Sequence, residues 1–121
     1  MILLDSSVWI EHLSNGPRLT SSSALFSDPD RIVVSTVSLY EVGRYTLRTS
    51  GLDAMEEVVA HMRQCKVVPV DEHIALRAVF LAGRHGLHTA DALIAATAES
   101  AAALLFTLDS HLLALPGSRE P

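Results

Sequence analysis

With 121 residues and a mass of 13.0 kDa, the chain has room for one domain and one core. Its 49% hydrophobic content excludes a disordered chain, and the single cysteine, Cys65, excludes an internal disulfide and suits a reducing compartment. A net charge of -5 argues against nucleic-acid binding through basic patches alone, unless several acids converge on cations that reverse the local sign.

The first element is a strand. "ILL" is short, wholly apolar and runs into Asp5. "SVWIEHL" follows, with Val8, Trp9, Ile10 and Leu13 at helical spacing. "SNGPRLTSSS" is a turn-rich connection rather than a domain boundary. "RIVVS" is a second β-branched strand, and "TVSLYEVGRYTLR" is a helix with Val37, Tyr40, Val42 and Tyr45 in its pattern. "LDAMEEVVAHMRQC" is amphipathic, with Leu52, Met55, Val58, Val59 and Met62 on one side. "KVVPV" is a third strand, which Pro69 assigns to an edge or ends.

"DEHIALRAVFLAGRHG" is a helix that Gly86 stops, and "TADALIAATAESA" is a small-residue helix suited to close packing on a sheet. "ALLFTL" is the fourth strand, again running into an acid, Asp109, and "HLLAL" precedes a polar tail. The most membrane-like stretch, "ALIAATAESAAALLFTL", is interrupted by Glu99 and Ser100 and reads as a buried helix and strand; no signal peptide is expected at the start. Continuous apolar strands alternating with helices predict a three-layer α/β/α domain with a central parallel sheet of four to five strands. Ligands of such sheets bind beyond the carboxyl ends of the strands, where Asp5 and Asp109 both lie.

Two more acids stand out. Glu41 has Val37 and Tyr45 as its helical neighbours, and Asp91 lies in the first turn of a helix with no other charge before Glu99. Each acid has a structural explanation. Asp5 can N-cap the helix from Ser6; Ser38 and Glu41 fit a capping box; Asp91 can complement a helix dipole behind a Thr89 cap; Asp109 can cap "HLLAL". The set changes the balance. Four carboxylates converging on one rim would repel one another unless hard divalent cations, which take oxygen ligands, lie between them. Such a cation activates water and stabilises phosphoryl charge.

"LLDSSVWIEHL", "SLYEVGR", "HTADALIAATA" and "LFTLDSHL" together resemble the motifs of PIN-domain ribonucleases, and their order and spacing resemble the VapC toxins of type II toxin–antitoxin systems. The resemblance spans essentially the whole chain as a single PIN domain. It implies an acidic cluster of Asp5, Glu41, Asp91 and Asp109, with Asp5 and Asp91 the principal metal ligands and the other two completing the site directly or through water. It further implies Ser6, Ser7 and Thr107 as supporting hydrogen-bonding groups, and Mg²⁺ as cofactor with Mn²⁺ substituting. The implied activity is endoribonucleolytic hydrolysis leaving a 5′-phosphate and a 3′-hydroxyl. The implied setting is cytoplasmic, as a homodimer neutralised by a VapB-type antitoxin. Where many relatives continue after the last Asp with an acid and an aromatic, this chain has Ser110, His111 and Leu112.

The remaining polar residues divide between surface and site. Arg44 and Arg48, four apart on the Glu41 helix, fit either a solvated face or contacts with RNA or antitoxin; Arg84 is a further candidate. The histidines show no zinc motif: His85 and His88 flank Gly86, His88 reads as a helix-entry residue, and His12, His61 and His73 as exposed helix positions. Trp9 reads as core or dimer packing and Cys65 as buried. The alternative function is a catalytically inactive PIN-like domain that binds protein or RNA, which the intact acidic quartet disfavours. A phosphoacceptor domain with Asp5 as nucleophile would need a second early acid and a later Lys, whereas position 7 is Ser and the only Lys is Lys66.

Overall fold

The computed structural model describes residues 1–19 and 22–121, apart from the side chains of Ser22 and Ser23. Four strands form one parallel sheet: β1 (Ile2–Leu4), β2 (Ile32–Ser35), β3 (Lys66–Val68) and β4 (Leu104–Phe106), in the order β3-β2-β1-β4. The helices are α1 (Ser6–Leu13), α2 (Ser22–Leu25), α3 (Thr36–Ser50), α4 (Leu52–Met62), α5 (Glu72–His85), α6 (Thr89–Ser100) and α7 (Ser110–Leu113), with a 3₁₀ turn at Pro29–Arg31. The predicted α/β/α layering with a parallel sheet is what forms, and β3 is the edge strand that Pro69 ends. Thr20 and Ser21 of the turn-rich connection lie outside the described residues; α2, which the apolar spacing did not predict, closes it.

Side chains alternate along each strand, so neighbouring residues feed opposite layers. Leu3 and Val33 enter a core with Ile74 and Ala78 of α5 and Ala92, Ile94 and Ala96 of α6. Leu4, Ile32 and Val34 enter the other, with Val8, Trp9, Val42, Met62 and Cys65 under α1, α3 and α4. The alanines of α6 let that helix lie close to the sheet. Trp9 is wholly buried, edge-on to Phe26 at 4.8 Å, and so belongs to the core.

Several local expectations change. His12 is half-buried, not exposed, because its ring stacks on Phe26 at 3.8 Å and 10°. The Ser38–Glu41 capping box does not form: α3 begins earlier, and Ser35 caps it by accepting the Val37 N–H. His88, not Thr89, occupies the N-cap position of α6, without a side-chain bond. Gly86 ends α5 in the left-handed conformation that glycine adopts without strain (φ +67°). The polar tail is not free: Arg119 forms a parallel bridge with Phe106 on the open side of β4.

The chain runs outward from β1 through β2 to β3, then crosses back to place β4 on the other side of β1. The sheet therefore has its switch point between β1 and β4, where loops from the two strand ends diverge and leave a crevice. Leu4 pairs with Phe106 at the last rung, so Asp5 and Thr107 leave the ladder side by side. Among the described residues no helix is long and apolar enough to cross a membrane.

Candidate active site

Asp5 leaves β1 with its N–H still donating to the Phe106 carbonyl at 3.1 Å, and then caps α1. Its Oδ1 accepts the Val8 N–H (3.3 Å) and the Ser7 hydroxyl (2.5 Å), while Oδ2 accepts the Thr107 hydroxyl (2.6 Å). Only 3% of the residue is exposed. Burial raises its pKa above the usual 3.8, although the bonds from Ser7, Thr107 and Val8 oppose the shift. Capping and membership of the site are thus compatible in one residue.

Asp109 repeats the arrangement at the end of β4. Its Oδ1 accepts the N–H groups of His111 (2.8 Å) and Leu112 (3.2 Å), capping α7. Its own N–H donates to the Thr107 hydroxyl oxygen at 2.9 Å. Thr107 therefore joins the two acids, giving its proton to one and accepting from the backbone of the other. Ser7 does similar work, donating to Asp5 and accepting the Leu108 N–H at 3.0 Å.

Glu41 arrives from α3. Its Oε1 accepts the Ser6 hydroxyl at 2.6 Å, and Ser6 lies 3.1 Å from the Ser38 hydroxyl. Ser38, fully buried, is the site residue that the sequence did not disclose, because its spacing to Glu41 was read as a cap. Asp91 projects from the first turn of α6. Its pKa is raised, first by burial, then by the negative charges of Asp109, Asp5 and Glu41, with His111 opposing. Asp109, Asp5 and Glu41 thus all lie close enough to Asp91 for their charges to act on it.

Among the described residues, neither Lys nor Arg forms an ion pair with any of the four; only His111 stands near, 3.6 Å from Asp109 Oδ1. No hydrogen bond among those residues reaches Asp109 Oδ2, Glu41 Oε2 or either Asp91 oxygen. Nor do three His, Cys, Asp or Glu side chains there form a ready-made cage. What these acids offer is a set of hard, partly unengaged oxygens. It suits a small divalent cation that keeps several waters, and not a cation enclosed wholly by protein.

The three candidate arginines stay at the surface. Arg44 and Arg48 extend from α3, the latter 5.9 Å from the Tyr45 ring centre, and Arg84 is exposed in the last turn of α5. An unforeseen arginine touches the segment that carries Asp109: Arg18 Nη2 donates to the Leu108 carbonyl at 3.0 Å. The 90-residue separation of that pair leaves no local signal.

The PIN domain family model matches residues 2–117. A comparison with the curated proteins finds no match. Among solved structures, the chain is similar to a toxin–antitoxin complex from Klebsiella pneumoniae (TM-score 0.85, 23% identity, 100% of this chain and 98% of that one). It is also similar to VapC20 of Mycobacterium tuberculosis, described as a sarcin–ricin loop cleaving toxin (0.81, 19%, 100% of both chains). DNA-bound VapBC from Salmonella typhimurium is a further likeness (0.73, 18%, 100% and 98%).

Proposed function

Because the chain belongs to the PIN domain family, we propose that it is a metal-dependent endoribonuclease and the toxin of a VapBC-type pair. What supports the reading is that Asp5 and Asp109 follow the two strands at the switch point, that the charges of Asp109, Asp5 and Glu41 all act on Asp91, and that among the described residues no arginine or lysine pairs with any of the four. The fold shared with the M. tuberculosis toxin supports the substrate class.

Asp5 and Asp91 would be the principal ligands of Mg²⁺, or of Mn²⁺ in its place, with Glu41 and Asp109 completing the site directly or through water. Bound there, the cation would activate water and offset charge developing on a phosphoryl group. The protein's part is to hold the carboxylates ready. Thr107 and Ser7 fix the Asp5 oxygens, Thr107 also holds the Asp109 backbone, and Ser6 orients Glu41. Water attacks phosphorus in line, the P–O3′ bond breaks, and the departing 3′ oxygen takes a proton, leaving a 5′-phosphate and a 3′-hydroxyl. Arg18, Arg44, Arg48 and Arg84 are the cations available for RNA phosphates or acidic antitoxin groups.

The chain would act in the cytoplasm as a homodimer. The outward row Leu76, Val79 and Phe80 on α5, exposed by 58%, 64% and 68%, supports self-association. A cognate VapB-type antitoxin would neutralise it, as the toxin–antitoxin complexes of the same fold suggest.

Cleavage of a mixed RNA substrate by purified protein tests the proposal. Wild type, Asp5→Asn and Asp91→Asn are compared with Mg²⁺, Mn²⁺ and EDTA. Metal-dependent cutting lost in both folded variants supports it. Equal cutting by all three proteins overturns it, and binding of RNA without cutting in any metal favours the inactive binding module.

A further inference from the structure

Beyond α7 the chain turns back to the sheet. Gly117, at φ +84°, and a Ser118 N–H bond to the Leu115 carbonyl (3.2 Å) make the turn. Arg119 then lies beside Phe106 on the open side of β4. Its N–H donates to the Leu105 carbonyl at 2.9 Å, and its carbonyl accepts the Thr107 N–H at 3.0 Å. The Arg119 side chain is exposed, so its contact with the sheet is made by backbone.

The place of attachment matters. The β1–β4 pairing ends at Leu4 and Phe106, so Thr107 lies one residue past the last rung. Thr107 is fully buried, and the Arg119 carbonyl is the partner of its N–H. From inside, the Thr107 hydroxyl reaches Asp5 at 2.6 Å and the Asp109 N–H at 2.9 Å. One residue is thus gripped from outside by the returning segment and from inside by the Asp5 carboxylate and the Asp109 backbone N–H. A buried N–H without a partner is costly, so loss of the outer grip would shift the Thr107 backbone and, with it, its hydroxyl.

We propose that residues 117–119 are a positioning element for the acidic site, and that Arg119 acts through its backbone to set Thr107 and thereby Asp5 and Asp109. The effect on Thr107 depends on geometry alone. Its consequence for metal and RNA rests on the function proposed above.

The test uses Arg119→Pro, which removes the N–H that pins the segment to the Leu105 carbonyl and so frees the carbonyl held against Thr107, Arg119→Val, which keeps that N–H, and a chain ending at Gly117, which removes both bonds. Amide hydrogen exchange is followed residue by residue, alongside Mn²⁺ titration, RNA cleavage and thermal unfolding. In Arg119→Pro, the Asp109 and Thr107 amides are expected to exchange faster while amides in α3 and α5 keep their protection. Mn²⁺ affinity and kcat are expected to fall about tenfold or more, as for losses of groups that orient metal ligands. Arg119→Val should restore all three. The proposal is overturned if Asp109 exchange is unchanged in both Arg119→Pro and the shortened chain. It is equally overturned if exchange rises uniformly with lowered thermal stability, since the segment would then be ordinary support. If wild type neither binds Mn²⁺ nor cuts RNA, the functional reading falls, while the exchange result still decides whether Arg119 sets Thr107.

Discussion

The Thr107 hydroxyl and Asp5 Oδ2 lie 2.6 Å apart across 102 residues of sequence, and the same hydroxyl oxygen accepts the Asp109 N–H. Thr107→Val preserves shape and removes both bonds. It should destabilise the fold by about 1–3 kcal/mol, because the buried Asp5 carboxylate loses one of its donors and the Asp109 N–H loses its acceptor. Mn²⁺ affinity should fall about 10–100-fold. Denaturant unfolding and Mn²⁺ calorimetry measure the two effects; unchanged metal affinity would remove Thr107 from the site.

The Ser38–Ser6–Glu41 chain predicts graded effects. Ser6→Ala takes away the hydroxyl bonded to Glu41 and should reduce kcat about 10–100-fold. Ser38→Ala leaves that bond in place, so its kcat should fall less, at a stability cost of about 1 kcal/mol. Steady-state kinetics with thermal melts separates the two. A larger loss from Ser38→Ala than from Ser6→Ala would reverse the assigned order.

Asp91 gives the metal-free protein a distinctive pH dependence. Its pKa is raised in the fold, by burial first and then by Asp109, Asp5 and Glu41. A raised carboxyl contributes stability that is fully present below its unfolded pKa and is lost as pH climbs through the folded value. Without metal, wild type should therefore lose stability as pH rises from about 4 through that higher value. Asp91→Asn cannot ionise and should melt higher than wild type at neutral pH, with the gap closing in acid. Added Mn²⁺ should stabilise wild type and reverse the order. Melting curves against pH, with and without Mn²⁺, give the comparison, and a lower melting temperature for metal-free Asp91→Asn at neutral pH would refute it.

Gly43 faces α4 from the middle of α3, where a Cβ would sit 3.6 Å from Val59 Cγ2 and 4.0 Å from Met55 Cγ. Those are ordinary contacts. Gly43→Ala should raise stability by up to about 1 kcal/mol, through helix propensity, without disturbing the site. A drop in unfolding midpoint would mean that α3 and α4 need a closer approach.

Most of the fold was legible because its signals are local. "ILL" and "RIVVS" are too apolar to be anything but covered strands, and Gly86 marks a helix end. The element that carries each acid was legible too: Asp5 and Asp109 follow strands, and Glu41 and Asp91 lie on helices. Ser38 was misread because a hydroxyl three residues before a carboxylate describes a cap as well as it describes a sideways contact with α1. Arg18 beside Leu108, His12 on Phe26 and Arg119 beside Phe106 depend on where distant segments meet, which periodicity does not encode.

The strand order also governs when the acidic cluster can assemble as the chain is made. β1 emerges from the ribosome first and can pair with β2 early, but its other neighbour, β4, follows some hundred residues later. Until Thr107 and Asp109 have been translated, Asp5 lacks the hydroxyl that bonds its Oδ2 and the second strand-end acid. A nascent chain therefore lacks the assembled acidic site until nearly all of it has been made.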